Sequence, residues 1–170
     1  AKGTDLLLRA LNELVSEFDF ELVLISGSDR TYLDSLKAAV SPELWRRITL
    51  KTNLSAQEVA EEMAMATLLL FPTRVDTSPN AVKEAAVAGV PVVGSDIGGI
   101  PDYIFPGKNG LLFPSNSLDQ FIEAIRTACQ HPLFGRGEVD GETLKKVQNY
   151  LSPKTMGQRF LAIYKKVIGQ

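Results

Sequence analysis

The sequence predicts an α/β fold with a doubly wound parallel sheet of the Rossmann-like type. Short, unbroken apolar runs alternate with longer segments that have helical spacing. Such runs are typical of strands buried on both faces, and the amphipathic segments between them supply the covering helices. The length of 170 residues fits one domain, residues 1–170, with enough chain to bury a substantial core.

The N-terminal half alternates helices and strands. Residues 5–18 carry leucines on one helical face, and Asp29 is expected to cap a helix that runs to about Val40. Ser55 and Glu58 have the spacing of a capping box, which marks the start of a third helix. The predicted strands of this half are 21–27, 47–52 and 67–73.

The C-terminal half continues the alternation. Ser78-Pro79 predicts a helix start with proline at its first position, and Ser152-Pro153 predicts a second one near the C-terminus. Ser117 and Gln120 suggest a capped helix that ends near Gln130. Residues 91–96 and 110–114 are the last two predicted strands, and residues 131–142 form a connector.

Composition excludes several classes of function. The formal net charge of −2 gives no general affinity for nucleic acid or anionic membranes, so any phosphate recognition has to be local. A single cysteine, Cys129, excludes an internal disulfide, and with a single histidine, His131, it cannot build a zinc site. With no long apolar run and no signal peptide, a cytoplasmic location is expected.

The segment 76–102 concentrates the candidate functional residues. Ligands of open parallel sheets bind where the strands end, so the segments after Gly27, Thr52, Thr73 and Asp96 are expected to meet at one edge. A helix that starts there presents unpaired amides and a positive dipole end to an anion such as phosphate.

The same helix carries a candidate ribose ligand. Asn80 and Ala81 are small enough to let a phosphate approach the helix start. Glu84 lies farther along, and its side chain leans back toward the N-terminus, where it can accept hydrogen bonds from two sugar hydroxyls. An alternative stays open, in which these residues bind no ligand. Asp76 is then an ordinary loop residue, Glu84 is a solvated helix position, and Gly98-Gly99 is a simple turn after a strand.

The order of motifs resembles the family-4 retaining glycosyltransferases, which have the two-domain GT-B fold. Their Glu-x7-Glu pattern, Ala-rich helix, Gly-x-Pro-Val-Val strand and Gly-Gly-x-Pro-Glu turn correspond to Asp76-x7-Glu84 and to "AAVAG", "VPVVGSD" and "DIGGIPD". "KGTDLLLRALNEL" and "GKNGLLFP" match further family segments, so the resemblance covers most of residues 2–127. It implies that the chain is the C-terminal, nucleotide-sugar-binding half of such an enzyme.

The resemblance also implies roles for individual residues. Glu84 holds the ribose, Lys2 neutralises the donor diphosphate, and Asp76, where the family has glutamate, lies near the donor sugar. The turn at Gly27 and the one after Thr52 border the nucleobase. The backbone of a five-residue segment faces the sugar and diphosphate and binds them through its N–H groups. The segment consists of Thr77, Ser78, Pro79, Asn80 and Ala81, of which the proline has no N–H to donate.

Relative to the family, the first strand with its arginine and the N-terminal acceptor domain are missing. That strand is central in the family sheet, so we expect the domain to need upstream chain for stability, and we expect the isolated fragment to be inactive. The aromatic last helix returns toward the acceptor domain in the family, so part of its apolar face is expected to contact that domain.

The implied reaction is retaining transfer of a sugar from a UDP-, GDP- or ADP-linked donor to a sugar or lipid-linked acceptor, without a metal or cofactor. A full-length enzyme of this kind can also attach peripherally to a membrane. Two alternatives remain, a nucleotide-sugar epimerase of GT-B-like architecture and a non-catalytic sugar-nucleotide-binding module.

Overall fold

A computed structural model describes residues 2–26 and 30–169. The strands are β1 (Leu22–Ser26), β2 (Ile48–Thr52), β3 (Leu69–Phe71), β4 (Val92–Ser95) and β5 (Gly110–Phe113). The helices are α1 (Thr4–Leu14), α2 (Arg30–Ala38), α3 (Pro42–Trp45), α4 (Ala56–Met65), α5 (Asn80–Ala88), α6 (Leu118–Gln130), α7 (Gly141–Tyr150) and α8 (Pro153–Ile168). The predicted alternation of strands and helices is confirmed.

All pairings between these strands are parallel, which confirms the α/β class. β1 pairs with β2, and β4 lies between β3 and β5. The five strands therefore form two parallel sheets, β1–β2 and β3–β4–β5.

The sheet around β4 is doubly wound. Neighbouring side chains of β4 enter different cores: Val93 packs in a cluster with residues of α1 and α6, and Val92 packs in a cluster with residues of α5. Leu111 and Leu112 of β5 alternate in the same way. This period of two places helices on both faces, as the unbroken apolar runs predicted.

β1 and β3 are edge strands of the two sheets, and both contribute to one core. Leu24 of β1 and Leu70 of β3 pack against one and the same core cluster, yet the two strands do not pair with each other. Val23 and Ile25 of β1 are each 41% exposed. Each sheet therefore has an unpaired strand edge within the described residues, and these edges flank a shared core.

Helix starts follow the sequence signals in some places and depart from them in others. Ser55 and Glu58 form the predicted capping box, and Ser152 caps α8 with Pro153 in the first turn. The Ser117 side chain makes no capping hydrogen bond, so the predicted cap of α6 is wrong although the helix begins where expected.

The region around the predicted connector contains more structure than expected. Phe134 is buried in a short 3-10 helix, and α7 begins at Gly141 with Asp140 Oδ1 accepting the Thr143 N–H at 2.9 Å. Val147 of α7 is buried in the core beside α5. The connector therefore ends in a helix start that covers one face of the β3–β4–β5 sheet.

α8 contributes no buried residue to either core. Its apolar side chains are 48–78% exposed and lie along one side of the helix at helical spacing. This exposed face consists of Met156, Phe160, Leu161, Ile163, Tyr164, Val167 and Ile168.

Candidate functional site

The Gly98-Gly99 turn after β4 packs directly on the backbone of the segment after β3. Gly99 N–H donates to Thr77 O at 2.7 Å. A Cβ on Gly98 would lie 2.2 Å from Asp76 O, and Gly98 has a φ of +55°, a conformation that side chains disfavour. The two backbones thus approach too closely for any other residue at position 98, and the turn holds residues 76–78 in place.

A second glycine brings Lys2 to the same segment. Gly3 has a φ of +79°, and a Cβ there would lie 1.8 Å from Pro72 O at the end of β3. This contact lets α1 begin against the carboxyl end of β3. The Lys2 ammonium consequently lies 2.6 Å from Asp76 Oδ2.

The Lys2–Asp76 pair is asymmetric in its exposure. The Lys2 side chain is 66% exposed, whereas that of Asp76 is 12% exposed. The hydrogen bond from Lys2 holds the pKa of Asp76 below its ordinary value; burial opposes this, and the charge of Lys2 and the amides of Ser78 and Thr77 add to it. Asp76 is therefore an anion at neutral pH, and Lys2 remains open to solvent and to a ligand.

The start of α5 differs from the prediction in a way that affects the site. The helix begins at Asn80, and Pro79 is its extended N-cap residue with φ −67° and ψ 129°. Ser78 lies before the helix, and its N–H donates to Asp76 Oδ1 at 3.2 Å. Among the described residues no side chain caps α5, so its first amides remain available to an anion.

Glu84 occupies an exposed position on α5, beside a cavity of about 440 Å³. Among the side chains that the structure describes, those of residues 2–26 and 34–169, its carboxylate has no hydrogen-bond or ion-pair partner. The other residues that line the cavity are apolar and come from α4, its preceding loop and α5: Leu54, Ala56, Val59, Ala60, Met63 and Ala88. The structure therefore joins Glu84 to the loop after β2, which the sequence had assigned to the nucleobase.

Arg74 is a residue that the sequence analysis missed. Its guanidinium makes two hydrogen bonds of 2.6 Å to the Asp5 carboxylate, and its Nε donates to Asn116 Oδ1 at 2.7 Å. Arg74 lowers the pKa of Asp5 to about 2. It thereby ties the loop after β3 to the start of α1 and to the loop after β5, and its position directly after strand 67–73 was the available signal.

The remaining predicted site features stand as follows. Gly27 lies outside the described residues, and Thr77 contributes its carbonyl to the contact with Gly99. In the part of the chain that the structure describes, no three His, Cys, Asp or Glu side chains form a group that could hold a metal ion. None of the described helices is long and apolar enough to cross a membrane.

Comparison with known proteins identifies the family of this chain. The profile of the family "Glycosyl transferases group 1" matches residues 1–131. A GDP-mannose-dependent alpha-(1-6)-phosphatidylinositol monomannoside mannosyltransferase of Mycolicibacterium smegmatis is 29% identical over 140 residues, 77% of this chain and 36% of that protein. An N-acetyl-alpha-D-glucosaminyl L-malate synthase of Bacillus anthracis is 30% identical over 133 residues, 75% of this chain and 34% of that protein. The chain thus spans about a third of the length of these relatives.

Solved glycosyltransferase structures share the fold. A sucrose-phosphate synthase of Thermosynechococcus elongatus superposes with a TM-score of 0.81 at 20% identity, over 99% of this chain and 43% of that one. Anabaena Alr3699/HepE, solved in complex with UDP, gives a TM-score of 0.81 at 17% identity, over 97% of this chain and 45% of that one. With a profile match over most of its length and the GT-B-like, Rossmann-type architecture, the chain belongs to the group 1 glycosyltransferase family.

Proposed function

We propose that this chain is the donor-binding domain of a family-4 retaining hexosyltransferase, which moves a sugar from a nucleotide sugar to a sugar or lipid-linked acceptor. The observation that carries the proposal is the exposed Lys2 ammonium paired with Asp76 just before the uncapped start of α5. A cation and a helix N-terminus together form a site for a diphosphate.

The diphosphate binds between Lys2 and the first amides of α5, including those of Asn80 and Ala81. Lys2 is released from Asp76 when it pairs with the phosphate oxygens, and its long exposed side chain permits this change. As the glycosidic bond to the donor phosphate breaks, Lys2 and the helix dipole stabilise the charge on the leaving nucleoside diphosphate.

The nucleoside binds along α5 toward the cavity. Glu84 accepts hydrogen bonds from the ribose hydroxyls, and the apolar cavity beside it takes the base. Asp76, shorter than the family glutamate by one methylene, lies near the donor sugar and orients it. We assign Asp76 no covalent role, because its bond to Lys2 and its low pKa make it a weak nucleophile.

We propose that the acceptor is bound by a further domain and that this domain packs on the exposed apolar face of α8. A preceding strand is proposed to lie between the free edges of β1 and β3, since both edges flank one core. Without these parts the 170-residue chain is expected to bind the donor but not to transfer sugar. We expect the enzyme to act in the cytoplasm, with peripheral membrane attachment if its acceptor is lipid-linked.

A titration with UDP, GDP and ADP, each alone and sugar-linked, tests the proposal through thermal stabilisation in the absence of metal. One nucleotide is expected to raise the unfolding temperature, and Glu84→Ala should abolish the effect. Glu13→Ala is the matched control, an exposed helical glutamate near the end of α1 that is distal to Lys2. If no nucleotide stabilises folded protein, or if Glu84→Ala binds normally, the donor-site assignment fails.

A further inference from the structure

A second cavity lies on the side of the β3–β4–β5 sheet that α5 and α7 cover, and is called the α7–α8 cavity below. Its volume is about 390 Å³, within the range of small-molecule sites. Its lining comes from the segment after the Gly98-Gly99 turn, from the C-terminal half of α7 and from the first turn of α8. Among the described residues that line it, none belongs to the proposed nucleotide site. The α7–α8 cavity is therefore separate from the cavity beside Glu84.

The α7–α8 cavity lies close to the proposed donor site. Asp102, which follows the carboxyl end of β4, lines the cavity together with Tyr150 at the end of α7. Asp102 Oδ2 and Ser78 Oγ both lie 3.6 Å from the position that a Cβ on Gly99 would occupy. Asp102 therefore lies between the cavity and residues 76–78, the segment that precedes the proposed diphosphate site.

Three polar side chains of the cavity have hydrogen-bonding capacity that the folded chain leaves unused. The Asp102 carboxylate and the Lys146 ammonium line one cavity, yet among the described side chains neither makes an ion pair or a hydrogen bond. Asn149 Oδ1 accepts a hydrogen bond from Thr155 Oγ1 at 3.3 Å, and no described group accepts from the amide N–H groups of Asn149. The cavity thus offers one acceptor group and two donor groups to a ligand that both donates and accepts.

Aromatic rings supply much of the apolar wall. Tyr103 and Phe105 come from the segment after the turn, and Tyr150 comes from α7. Lys146 Nζ lies 4.7 Å from the centroid of the Phe105 ring, and Arg159 Cζ lies 4.5 Å from that of the Tyr150 ring. The Lys146 ammonium is thus held at the wall by an aromatic ring and not by a carboxylate, so it can still donate hydrogen bonds to a ligand.

A saccharide is the class of ligand that fits this combination of groups. A sugar ring has apolar C–H faces, which can pack on aromatic walls, and a rim of hydroxyls that both donate and accept hydrogen bonds. Hydroxyls between Asp102 and Lys146 can donate to the carboxylate and accept from the ammonium. A phosphate is disfavoured because Asp102 repels it, and a wholly apolar ligand would leave both charges without partners.

We propose that the α7–α8 cavity binds a saccharide, the sugar of the acceptor to which the donor sugar is transferred. The acceptor role rests on the proposed function. Thr155, in the first turn of α8, lines the cavity, and α8 also carries the exposed apolar face on which the acceptor domain is proposed to pack. An acceptor that enters between the two domains therefore meets this cavity beside the donor site.

NMR titration of the isotope-labelled 170-residue chain with the methyl glycosides of mannose, glucose, galactose and N-acetylglucosamine tests the proposal. At least one glycoside is expected to shift the side-chain amide signals of Asn149 and the backbone amides of Phe105 and Tyr150. Lys146→Met should weaken its binding by about tenfold, because a charge-assisted hydrogen bond is lost. Lys145→Met is the matched control, at the neighbouring exposed lysine of α7, and should bind the glycoside normally.

The same samples titrated with UDP, GDP and ADP separate this proposal from the proposed function. Lys146→Met should bind the preferred nucleotide as the wild type does. If no glycoside binds, if the shifts lie outside the cavity, or if the Lys146→Met and Lys145→Met variants bind the glycoside equally well, the saccharide site is overturned, and nucleotide binding is unaffected by that result. If a glycoside binds in the cavity but no nucleotide binds the chain, the donor-site proposal fails and the acceptor role fails with it.

Discussion

Lys2 Nζ and Asp76 Oδ2 lie 2.6 Å apart although the residues are separated by 74 positions in the chain. The glycine after Lys2 creates this contact, since it allows α1 to start against Pro72 at the end of β3. The ion pair is open on the lysine side and mostly covered on the aspartate side. It therefore fixes a cation at the carboxyl edge of the sheet without consuming all of its hydrogen-bonding capacity.

Lys2→Met is expected to weaken binding of the preferred nucleoside diphosphate by about 10- to 100-fold, because a charge-assisted hydrogen bond to phosphate is lost. Titration calorimetry on the folded variant measures this effect. Lys154→Met, at an exposed lysine in the first turn of α8, is the matched control and should bind normally. Equal affinity of Lys2→Met and wild type would remove Lys2 from the diphosphate site.

Gly98→Ala should be far more destabilising than Gly107→Ala. Both glycines have positive φ, +55° and +74°, so alanine suffers a similar backbone strain of about 1–2 kcal/mol at each. Only at Gly98 does the new Cβ also collide with Asp76 O, whereas no atom lies within 4 Å of the position at Gly107. Urea unfolding measures the unfolding free energy of both variants. Equal losses of unfolding free energy would show that the Gly98-Gly99 turn does not pack on residues 76–78 as described.

The three Ser-Pro pairs show how far local signals reach. At Ser41-Pro42 and Ser152-Pro153 the serine caps a helix with proline in its first turn, as the pattern predicts. At Ser78-Pro79 the pattern fails, because Asp76 takes the Ser78 amide and the Gly99–Thr77 bond helps to keep the segment extended. The exception is thus made by long-range contacts at the candidate site.

Other features of the site could not be predicted from the sequence, because they also depend on contacts between residues that are far apart in the chain. The order of motifs pointed to Lys2, Asp76 and Glu84; in the structure Lys2 pairs with Asp76, and Glu84 borders the loop after β2. The ion pair between Arg74 and Asp5, called the Asp5–Arg74 clamp below, joins residues 69 positions apart, and no local sequence pattern indicates it. α7 was missed although Asp140 is an ordinary N-cap, since the glycines around it suggested a loop.

The Asp5–Arg74 clamp should make stability depend on pH in acid. Asp5 has a pKa of about 2 in the folded protein, below its ordinary value of 3.8, because of Arg74. A depressed pKa contributes stability that is fully present above pH 3.8 and is lost as pH falls toward 2. The difference in unfolding free energy between wild type and Asp5→Asn is therefore expected to shrink over that interval.

Asp119→Asn serves as the matched control for the clamp, since Asp119 also lies in the first turn of its helix, α6. The effect of the helix dipole is common to both positions, so a larger pH dependence at Asp5 reports chiefly its hydrogen bonds to Arg74, the largest cause of its low pKa. Urea titrations between pH 2 and 5 supply the comparison. If the difference in unfolding free energy between wild type and Asp5→Asn stays constant through this range, the stabilising role of the Asp5–Arg74 ion pair is contradicted.

Hydrogen exchange can locate the free strand edges. Successive N–H groups along a strand point to opposite sides of that strand. The Leu22 N–H bonds to Arg47 O on the β2 side. The N–H groups of Val23 and Ile25 therefore point to the unpaired edge of β1. On β3 the Leu69 N–H bonds to Pro91 O on the β4 side, which leaves Leu70 pointing to the other edge. The amides of Val23, Ile25 and Leu70 should exchange rapidly in the 170-residue chain.

In a longer protein that supplies the proposed intervening strand, these same three amides should become protected, while those of Leu22 and Leu69 change little. Addition of that strand is also expected to convert a weakly stable or self-associating chain into a monomer that unfolds cooperatively, because edge strands with unpaired backbone groups favour association. A 170-residue chain that is already monomeric, stable and cooperative, with Val23 and Leu70 protected, would show that β1 and β3 need no strand between them.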